Sequence, residues 1–308
     1  MFTSFFSKSK PINFLIIGIF MTIYYSVENF ALSEVPVTPS YFFRKMGLLL
    51  VYLLLMILVN FIVKKNQVTQ RNTFAIVLFA LFTVSFSEIL KTGGVLIAAF
   101  FILLALRRII SLKSGIDIKK KIFDASLWIC TASLFFEYCL FFLLLVFLAI
   151  LFYVANDYRN WLIPFVAVFS VFTLFTCFHL LVHGSFVDLS VFFRPPDFHF
   201  ALYSELEILL PLSLMLAFSI WTVANYLVVI KNASTTMKSS LVLILAIWAV
   251  SIFAVVFSPT KNGGELLFII IPVSVIGTNY FQQKEDKIFK EILLVSLVVL
   301  TFILPFLS

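Results

Sequence analysis

The sequence predicts an all-α fold: a polytopic membrane helix bundle of about 11 transmembrane helices, with the N-terminus inside and the C-terminus outside. Three observations predict it. Of the 308 residues, 62% are apolar. Only 12% are charged, whereas a soluble domain has about 25%. Apolar runs of roughly 20 residues, enough to cross a bilayer core of about 30 Å, recur from one terminus to the other. The chain is therefore expected to form a single integral membrane domain, residues 1–308.

Each apolar run is predicted to form one span. Lys8 and Lys10 precede the first run, which lacks a small-residue cleavage site and is interpreted as a retained helix rather than a signal peptide. The predicted spans are about 11–31, 46–63, 73–90, 94–110, 122–136, 138–156, 161–182, 206–230, 239–257, 265–281 and 291–307.

The run 122–156 is too long for one upright helix and short for two, and Glu137 interrupts it near its middle. If the chain turns at Glu137, 17 of the 22 Lys and Arg residues lie inside, as the positive-inside rule requires. A single helix would flip every later loop and leave 13 inside and nine outside. The charge distribution therefore predicts a hairpin, and the outer cations are then Arg44, Lys45, Lys91, Arg194 and Lys261.

In this topology most acidic residues and all three histidines fall on or near the outer side, although neither group was used to set the orientation. Chemistry is therefore expected at the outer face. Two similar tetrapeptides, KTGG at 91–94 and KNGG at 261–264, open outer-to-inner spans and are compatible with an old internal repeat. The outer acids and histidines are Glu28, Glu34, Glu88, Glu137, Asp188, Asp197, Glu205, Glu207, Glu265, His179, His183 and His199.

Four of these outer residues are candidates for catalysis: Glu28, Glu137, Glu265 and His183. A carboxyl group surrounded by Phe and Leu side chains is desolvated, which raises its pKa and suits it to acid–base chemistry. Structural roles also account for two of them. Glu137 explains a turn, and Glu265 would be favoured by the dipole in the first turn of a helix.

Arg194, Lys261 and Asp197 are the candidate binding residues. A site for a phosphate-bearing lipid needs outer cations, which are few here, and Arg is the best bidentate phosphate ligand. Arg194 lies in FFRPPDFHF, residues 192–200, where two prolines prevent a continuous helix. The alternative for Arg194 is an ion pair with a nearby carboxylate such as Asp197.

No metal and no cofactor is predicted. His179 and His183 share a helical face and could chelate a metal with His199 or an outer Asp, but the absence of HExxH and of Cys partners favours a pair of interfacial histidines. The three cysteines lie inside apolar runs without metal or disulfide spacing. Nucleotide, dinucleotide and serine-hydrolase motifs are absent.

The inner loop 107–121, RRIISLKSGIDIKKK, has six basic residues and one acid. The simpler interpretation is a topology anchor on anionic headgroups, where each cation contributes about 1 kcal/mol. The alternative is a docking patch for a partner protein. The net charge of +7 is explained by such loops and does not indicate nucleic acid.

Four segments carry a resemblance: SFFSKSKPINF (4–14), ALRRIISLKSGIDIKKKIFDASLWI (105–129), RNWLIPF (159–165) and GGELLFIIIPVSVIGTNYF (263–281). With them the chain resembles a family of uncharacterised bacterial multi-pass membrane proteins. The resemblance implies the inner membrane of a Gram-negative cell and supplies no catalytic residues.

The architecture is also similar to that of membrane glycosyltransferases that use polyprenyl-phosphate sugars. Those enzymes share the N-inside topology, about eleven spans and outer carboxylates near the end of the first helix, where Glu28 stands here. This chain departs from them because it lacks a long outer loop with an adjacent acidic pair after the first span.

Two functions remain open. The first is a non-enzymatic subunit of an envelope-associated membrane complex, suggested by minimal loops, absent catalytic signatures and the basic loop 107–121. The second is an outer-face transferase or carrier for a polyprenyl-phosphate-linked sugar or phosphate. Convergence of Glu28, Glu137, His183, Arg194 and Glu265 on one cavity would favour the second.

Overall fold

The computed structural model describes residues 2–32, 36–66, 69–188, 192, 194–259, 261–283 and 287–303. It is 83% helical, and no β-strand occurs in the described part of the chain. The outer acid Glu34, the inner cation Lys284 and the end of the last predicted span, 304–307, lie outside the described residues. The helices are α1 Phe2–Phe6, α2 Pro11–Ser26, α3 Pro39–Lys65, α4 Phe74–Val84, α5 Ser87–Lys91, α6 Gly93–Ser111, α7 Ile118–Ser133, α8 Leu143–Tyr153, α9 Tyr158–His183, α10 Leu206–Asn232, α11 Thr235–Val256, α12 Leu267–Gln282 and α13 Lys287–Ile303.

Within the part of the chain that the structure describes, seven helical segments are long and apolar enough to cross a membrane. This length and composition indicate a membrane protein. Two shorter apolar helices accompany them, at Phe74–Val84 and Glu137–Tyr153. The seven are Pro11–Ala31, Pro39–Lys65, Gly93–Ser114, Tyr158–His183, Leu206–Asn232, Met237–Val256 and Gly264–Gln282.

The predicted span 73–90 is broken. Helix α4 stops after Val84, and α5 begins at Ser87. The Ser85 hydroxyl donates to the Leu81 carbonyl at 2.8 Å, a back-bond that bends helices, and Phe86 is extended with φ −124°. The break leaves α5 as a single short turn at one end of the bundle.

The segment 122–156 is a pair of helices with a turn between them. Helix α7 ends at Ser133, and a 3₁₀ turn at Glu137–Phe142 leads into α8. The Lys119 ammonium lies 3.7 Å from the Asp157 carboxylate, so the start of α7 adjoins the end of α8. The two helices therefore run antiparallel.

Contacts between loops define two ends of the bundle. At the first, the Thr73 amide donates to the Phe6 carbonyl at 3.1 Å, and the Gln70 amide donates to Gln282 Oε1 at 3.0 Å. We call this the basic end, because it carries the predicted inner loops with most of the Lys and Arg residues. At the other, the acidic end, Lys45 Nζ donates to the Lys91 carbonyl at 3.2 Å.

Helices α4 and α12 form the centre of the bundle. Every residue of α4 is buried. In the most apolar 18-residue stretch of Gly264–Gln282, which contains α12, 94% of the residues are buried, compared with 11% in the corresponding stretch of α9. Helix α12 approaches α10 closely at Gly277, where an added Cβ would lie 2.6 Å from Phe218 Cζ. A side chain there would force the two helices apart.

Candidate functional site

The acidic end contains a partly enclosed cavity of about 790 Å³. Among the described residues, four carboxylates line it, from the turn after α2, from α5 and from the start of α10, together with a single ammonium group. Several elements distant in sequence therefore contribute to one polar cavity within the apolar bundle. The charged lining residues are Glu28, Glu88, Lys91, Glu205 and Glu207.

Glu28 lies on a π-helical turn, Val27–Ala31, that continues α2. The Leu32 amide donates to the Val27 carbonyl at 2.9 Å, the i to i+5 bond that defines this turn. Such turns are rare and are frequent at functional sites. The Glu28 side chain is only 15% exposed, and its Oε2 lies 3.6 Å from Lys91 Nζ.

Lys91 is held between two carboxylates. Its Nζ lies 3.6 Å from Glu28 and 3.4 Å from Glu88, and its side chain is 44% exposed. The backbone around it is fixed from two sides, because Lys45 donates to the Lys91 carbonyl and Asn29 Nδ2 donates to the Leu90 carbonyl at 3.1 Å. The cavity thus presents a positioned carboxylate–ammonium pair.

The two glycine tetrapeptides meet beside this cavity. An added Cβ on Gly264 would lie 3.3 Å from Thr92 Oγ1, so KNGG packs directly against KTGG. Gly263 lines the cavity and has φ +87°, a conformation that favours glycine. The similarity of the two motifs therefore coincides with a structural contact.

Glu265 lies in the interior next to the cavity and is fully buried. The Tyr203 hydroxyl donates to its Oε1, while Oε2 has no hydrogen-bond partner among the described residues. Burial and the neighbouring Glu265 carboxylate raise the pKa of Tyr203 above its ordinary value. Tyr203 therefore remains a donor, and the bond fastens the 3₁₀ turn Ala201–Ser204 to the start of α12.

Lys261 is also buried, at 8% exposure. Its Nζ donates to the carbonyls of Val255 and Val256 at 2.5 and 2.8 Å, and it lies 5.2 Å from the centre of the Phe200 ring. Burial lowers the pKa of Lys261. The ammonium group satisfies the last carbonyls of α11 and is directed away from the cavity lining.

The outer connection holds its charged groups at its own surface. Asp197 accepts from the His199 amide at 2.9 Å and contacts His199 Nδ1 at 2.6 Å. The hydrogen bond from the His199 amide, followed by that from its side chain, lowers the pKa of Asp197. Nearby, the Tyr138 hydroxyl donates to the Arg194 carbonyl at 2.8 Å. Among the described residues no carboxylate pairs with the Arg194 side chain, which is exposed.

The rings of His179 and His183 are tilted to one another with their centres 4.7 Å apart at the end of α9, where His183 is exposed and His179 is half-buried. Within the described ranges, no group of three His, Cys, Asp or Glu side chains is arranged to hold a metal ion.

The predicted candidates do not converge on one cavity. Glu28 lines it, and Glu265 and Lys261 lie in the interior close to it. The lining does not include the other four candidates, which are Glu137, His183, Arg194 and Asp197.

Sequence reasoning placed Glu88, Lys91, Glu205 and Glu207 at the outer side but did not single them out. The sequence indicated only that these residues share the outer side of the membrane. It could not indicate that they line one cavity, because the break before α5 and the turn before α10 bring them together.

At the basic end, the cations of loop 107–121 are held by the protein itself. Arg108 pairs with Asp124 at 2.9 Å, Lys113 Nζ donates to the Asn66 carbonyl at 2.9 Å, and Lys121 Nζ donates to the Ser111 carbonyl at 2.9 Å. Five of the six cations of the loop therefore already have acceptors within the protein, and the sixth, Arg107, lies 4.9 Å from the centre of the Phe61 ring.

A family model described as a family of unknown function (DUF6427) matches residues 1–307. No curated protein and no solved structure matches the chain.

Proposed function

The chain belongs to this family of unknown function, so we propose a role from its own residues: transfer of a sugar from a polyprenyl-phosphate carrier, at the outer face of a bacterial inner membrane. The predicted set of Glu28, Glu137, His183, Arg194 and Glu265 does not converge and so lends this reaction no support. The observation that supports it is a different one, the pairing of Glu28 with Lys91, 3.6 Å apart, in the cavity of about 790 Å³. A cavity of that size with a few convergent polar groups is the usual form of a small-molecule site.

The pair supplies the two groups that such a transfer needs. An acceptor hydroxyl would attack the anomeric carbon while Glu28 takes its proton. The carbon–oxygen bond to the phosphate breaks at the same time, and the phosphate leaves with the electron pair. Lys91, the one ammonium in the described lining, would stabilise the charge that develops on that oxygen.

The balance of charge in the cavity restricts how the polyprenyl-phosphate sugar can be oriented in it. The four carboxylates and one ammonium of the described lining disfavour a free anion and suit sugar hydroxyls, which donate hydrogen bonds to carboxylate oxygens. The sugar is expected among Glu88, Glu205 and Glu207. The phosphate is expected near Lys91, the partly exposed cation.

The proposal uses the predicted topology of eleven spans, with the basic end in the cytoplasm and the acidic end outside. The contacts that gather the predicted inner loops at one end are consistent with spans that alternate in direction, and the positive-inside rule supports the orientation.

Single cysteines introduced at Lys10 and Lys91 in a cysteine-free chain test this topology. An impermeant maleimide applied to spheroplasts should label position 91 and spare position 10. Labelling of position 10 alone would reverse the topology.

The chemistry is tested with purified protein in nanodiscs that contain a radiolabelled polyprenyl-phosphate hexose and a membrane extract as the acceptor source. Wild type should release polyprenyl phosphate, and Glu28→Gln should lower the rate by about 10²–10⁴, the usual contribution of a general base. The matched control is Glu137→Gln, which removes an acid at the same end but outside the cavity lining. No release by wild type, or equal losses in both variants, would refute the proposed reaction.

A second candidate is a non-enzymatic subunit of an envelope-associated complex. One observation favours it. In the most apolar 18-residue stretch of the long helix α9, only 11% of the residues are buried, so α9 offers a face to a partner helix or to lipid. Purification in mild detergent followed by crosslinking tests this candidate. A chain that migrates alone, without a stoichiometric partner, would contradict it.

A further inference from the structure

A second cavity, of about 750 Å³, lies at the basic end between α1, the loop before α4 and the start of α13. We propose that it binds the headgroup of an anionic phospholipid, with an acyl chain along α13. The proposal is independent of the reaction at the acidic end.

One part of the lining is polar and rich in hydrogen-bond donors. Arg71 contributes a guanidinium group that is exposed and has no carboxylate or hydrogen-bond partner among the described residues. Ser4 and Ser7 add hydroxyl groups to the same lining, where that of Ser7 donates to the Ser4 carbonyl at 2.8 Å. A guanidinium and hydroxyls that converge in one cavity suit the oxygens of a phosphate ester.

Gln282 supplies a donor that the fold leaves unused. Its Oε1 accepts from the Gln70 amide at 3.0 Å, which fixes the side-chain amide in place. Its Nε2 is enclosed and has no hydrogen-bond partner among the described residues. A buried N–H without an acceptor is unfavourable, so a ligand oxygen that reaches this amide would remove the penalty.

The carboxylate in the lining does not cancel this preference for an anion. Glu291 Oε2 already accepts from the Thr3 amide at 3.0 Å and from the Thr3 hydroxyl. These bonds attach α1 to α13 and engage the carboxylate. Arg71 and the amide of Gln282 remain as groups that can meet a phosphate, and Lys290, whose Nζ already donates to the Gln283 carbonyl, adds a second positive charge to the lining.

The other part of the lining is apolar and continues onto the outside of the bundle. Phe74 and Phe281 form the inner wall. Ile288 and Ile292, one helical turn apart on the same face of α13, line the cavity and are 77% and 61% exposed. A soluble phosphate would gain nothing from this wall, whereas a phospholipid has a headgroup for the polar part and a chain for the isoleucines.

Native mass spectrometry of the delipidated full chain tests the proposal, with phosphatidylglycerol, phosphatidylcholine and glycerol phosphate as probes. One phosphatidylglycerol should bind per chain, and Arg71→Ala should weaken it about tenfold, the effect of one charge-assisted hydrogen bond. Ile292→Ser, on the exposed wall, should also weaken it. The control is Arg159→Ala, which removes an Arg at the same end but outside the lining and should leave binding unchanged.

Three results would overturn the proposal. Equal binding of phosphatidylcholine would remove the role of the headgroup charge. Glycerol phosphate displacing the lipid at similar concentration would mean that the site takes a soluble phosphate ester. Equal losses in Arg71→Ala and Arg159→Ala would mean attraction to the basic end as a whole.

Discussion

The two ends of the bundle treat their charged side chains differently. At the basic end, Lys119 and Lys120 remain 56% and 81% exposed while pairing with carboxylates at the surface. At the acidic end, Glu265 is fully buried and Lys261 is 8% exposed, and neither reaches the surface. The charged pairs of loop 107–121 therefore stay in water, although Lys290 at the same end is buried, whereas the acidic end buries Lys45, Lys261 and Glu265.

This difference changes what the loss of a charged side chain should do. An exposed ion pair gains little from attraction and is screened by salt, so its removal costs little. A buried charged group has lost its water, and its fixed partners are all that compensate. Polar residues at the acidic end should therefore be sensitive to substitution, and those at the basic end should be tolerant.

The largest effect is expected for Tyr203→Phe. The change removes the hydroxyl that donates to Glu265 Oε1, the one side-chain hydrogen bond to this buried carboxyl group in the described structure, whose Oε2 already has no partner. An unsatisfied buried polar group costs about 1–3 kcal/mol. Thermal unfolding in detergent should show a lower midpoint.

The matched control is Tyr158→Phe, which removes the same atom from a tyrosine that is 69% exposed. Its midpoint should equal that of the wild type. If both variants unfold at the wild-type temperature, the Tyr203–Glu265 contact does not stabilise the acidic end and the comparison between the ends fails.

A smaller effect is expected for Lys261→Met, which keeps the length of the side chain but removes its two hydrogen bonds to the end of α11. The loss should be about 1 kcal/mol, since typical hydrogen bonds contribute about that much and the removed charge was itself poorly solvated.

The pH dependence separates Lys261 from a packing effect. Burial lowers its pKa from 10.5 in the folded protein, so the folded state releases the proton first as the pH rises. Between the lowered pKa and 10.5 the unfolded chain holds more protons, and the free energy of unfolding should rise with pH. Equilibrium unfolding across this window should show the rise in wild type and its loss in Lys261→Met. Parallel pH profiles would exclude Lys261 as the titrating group.

The sequence predicted the helical class of the fold better than it predicted the site, for a physical reason. Apolar runs with the length of a bilayer core are a local signal, and the described chain has seven helical segments able to cross a membrane; the count of eleven spans and the orientation stay predictions. The break at Ser85 was missed because a serine–carbonyl back-bond leaves no mark in hydropathy. The cavity could not be predicted, since it depends on how residues 88 and 205, far apart in sequence, are packed together. Glu265 looked like a residue favoured by a helix dipole, and only the structure revealed its bond to Tyr203.

The smallest effect is expected at the basic end, for the ion pair between Arg108 and Asp124. Its atoms are 2.9 Å apart, closer than in the pair of Lys91 with Glu28, but the side chains are 40% and 34% exposed. Water and salt screen such a pair, and measured couplings for exposed pairs are about 0.2–1 kcal/mol. A double-mutant cycle with both Ala variants should give a coupling in this range that falls as salt is raised. A coupling energy above this range that did not fall with salt would mean that this pair at the basic end is also isolated from water. The two ends would then differ in which charged residues they contain, and not in how far those residues are exposed to water.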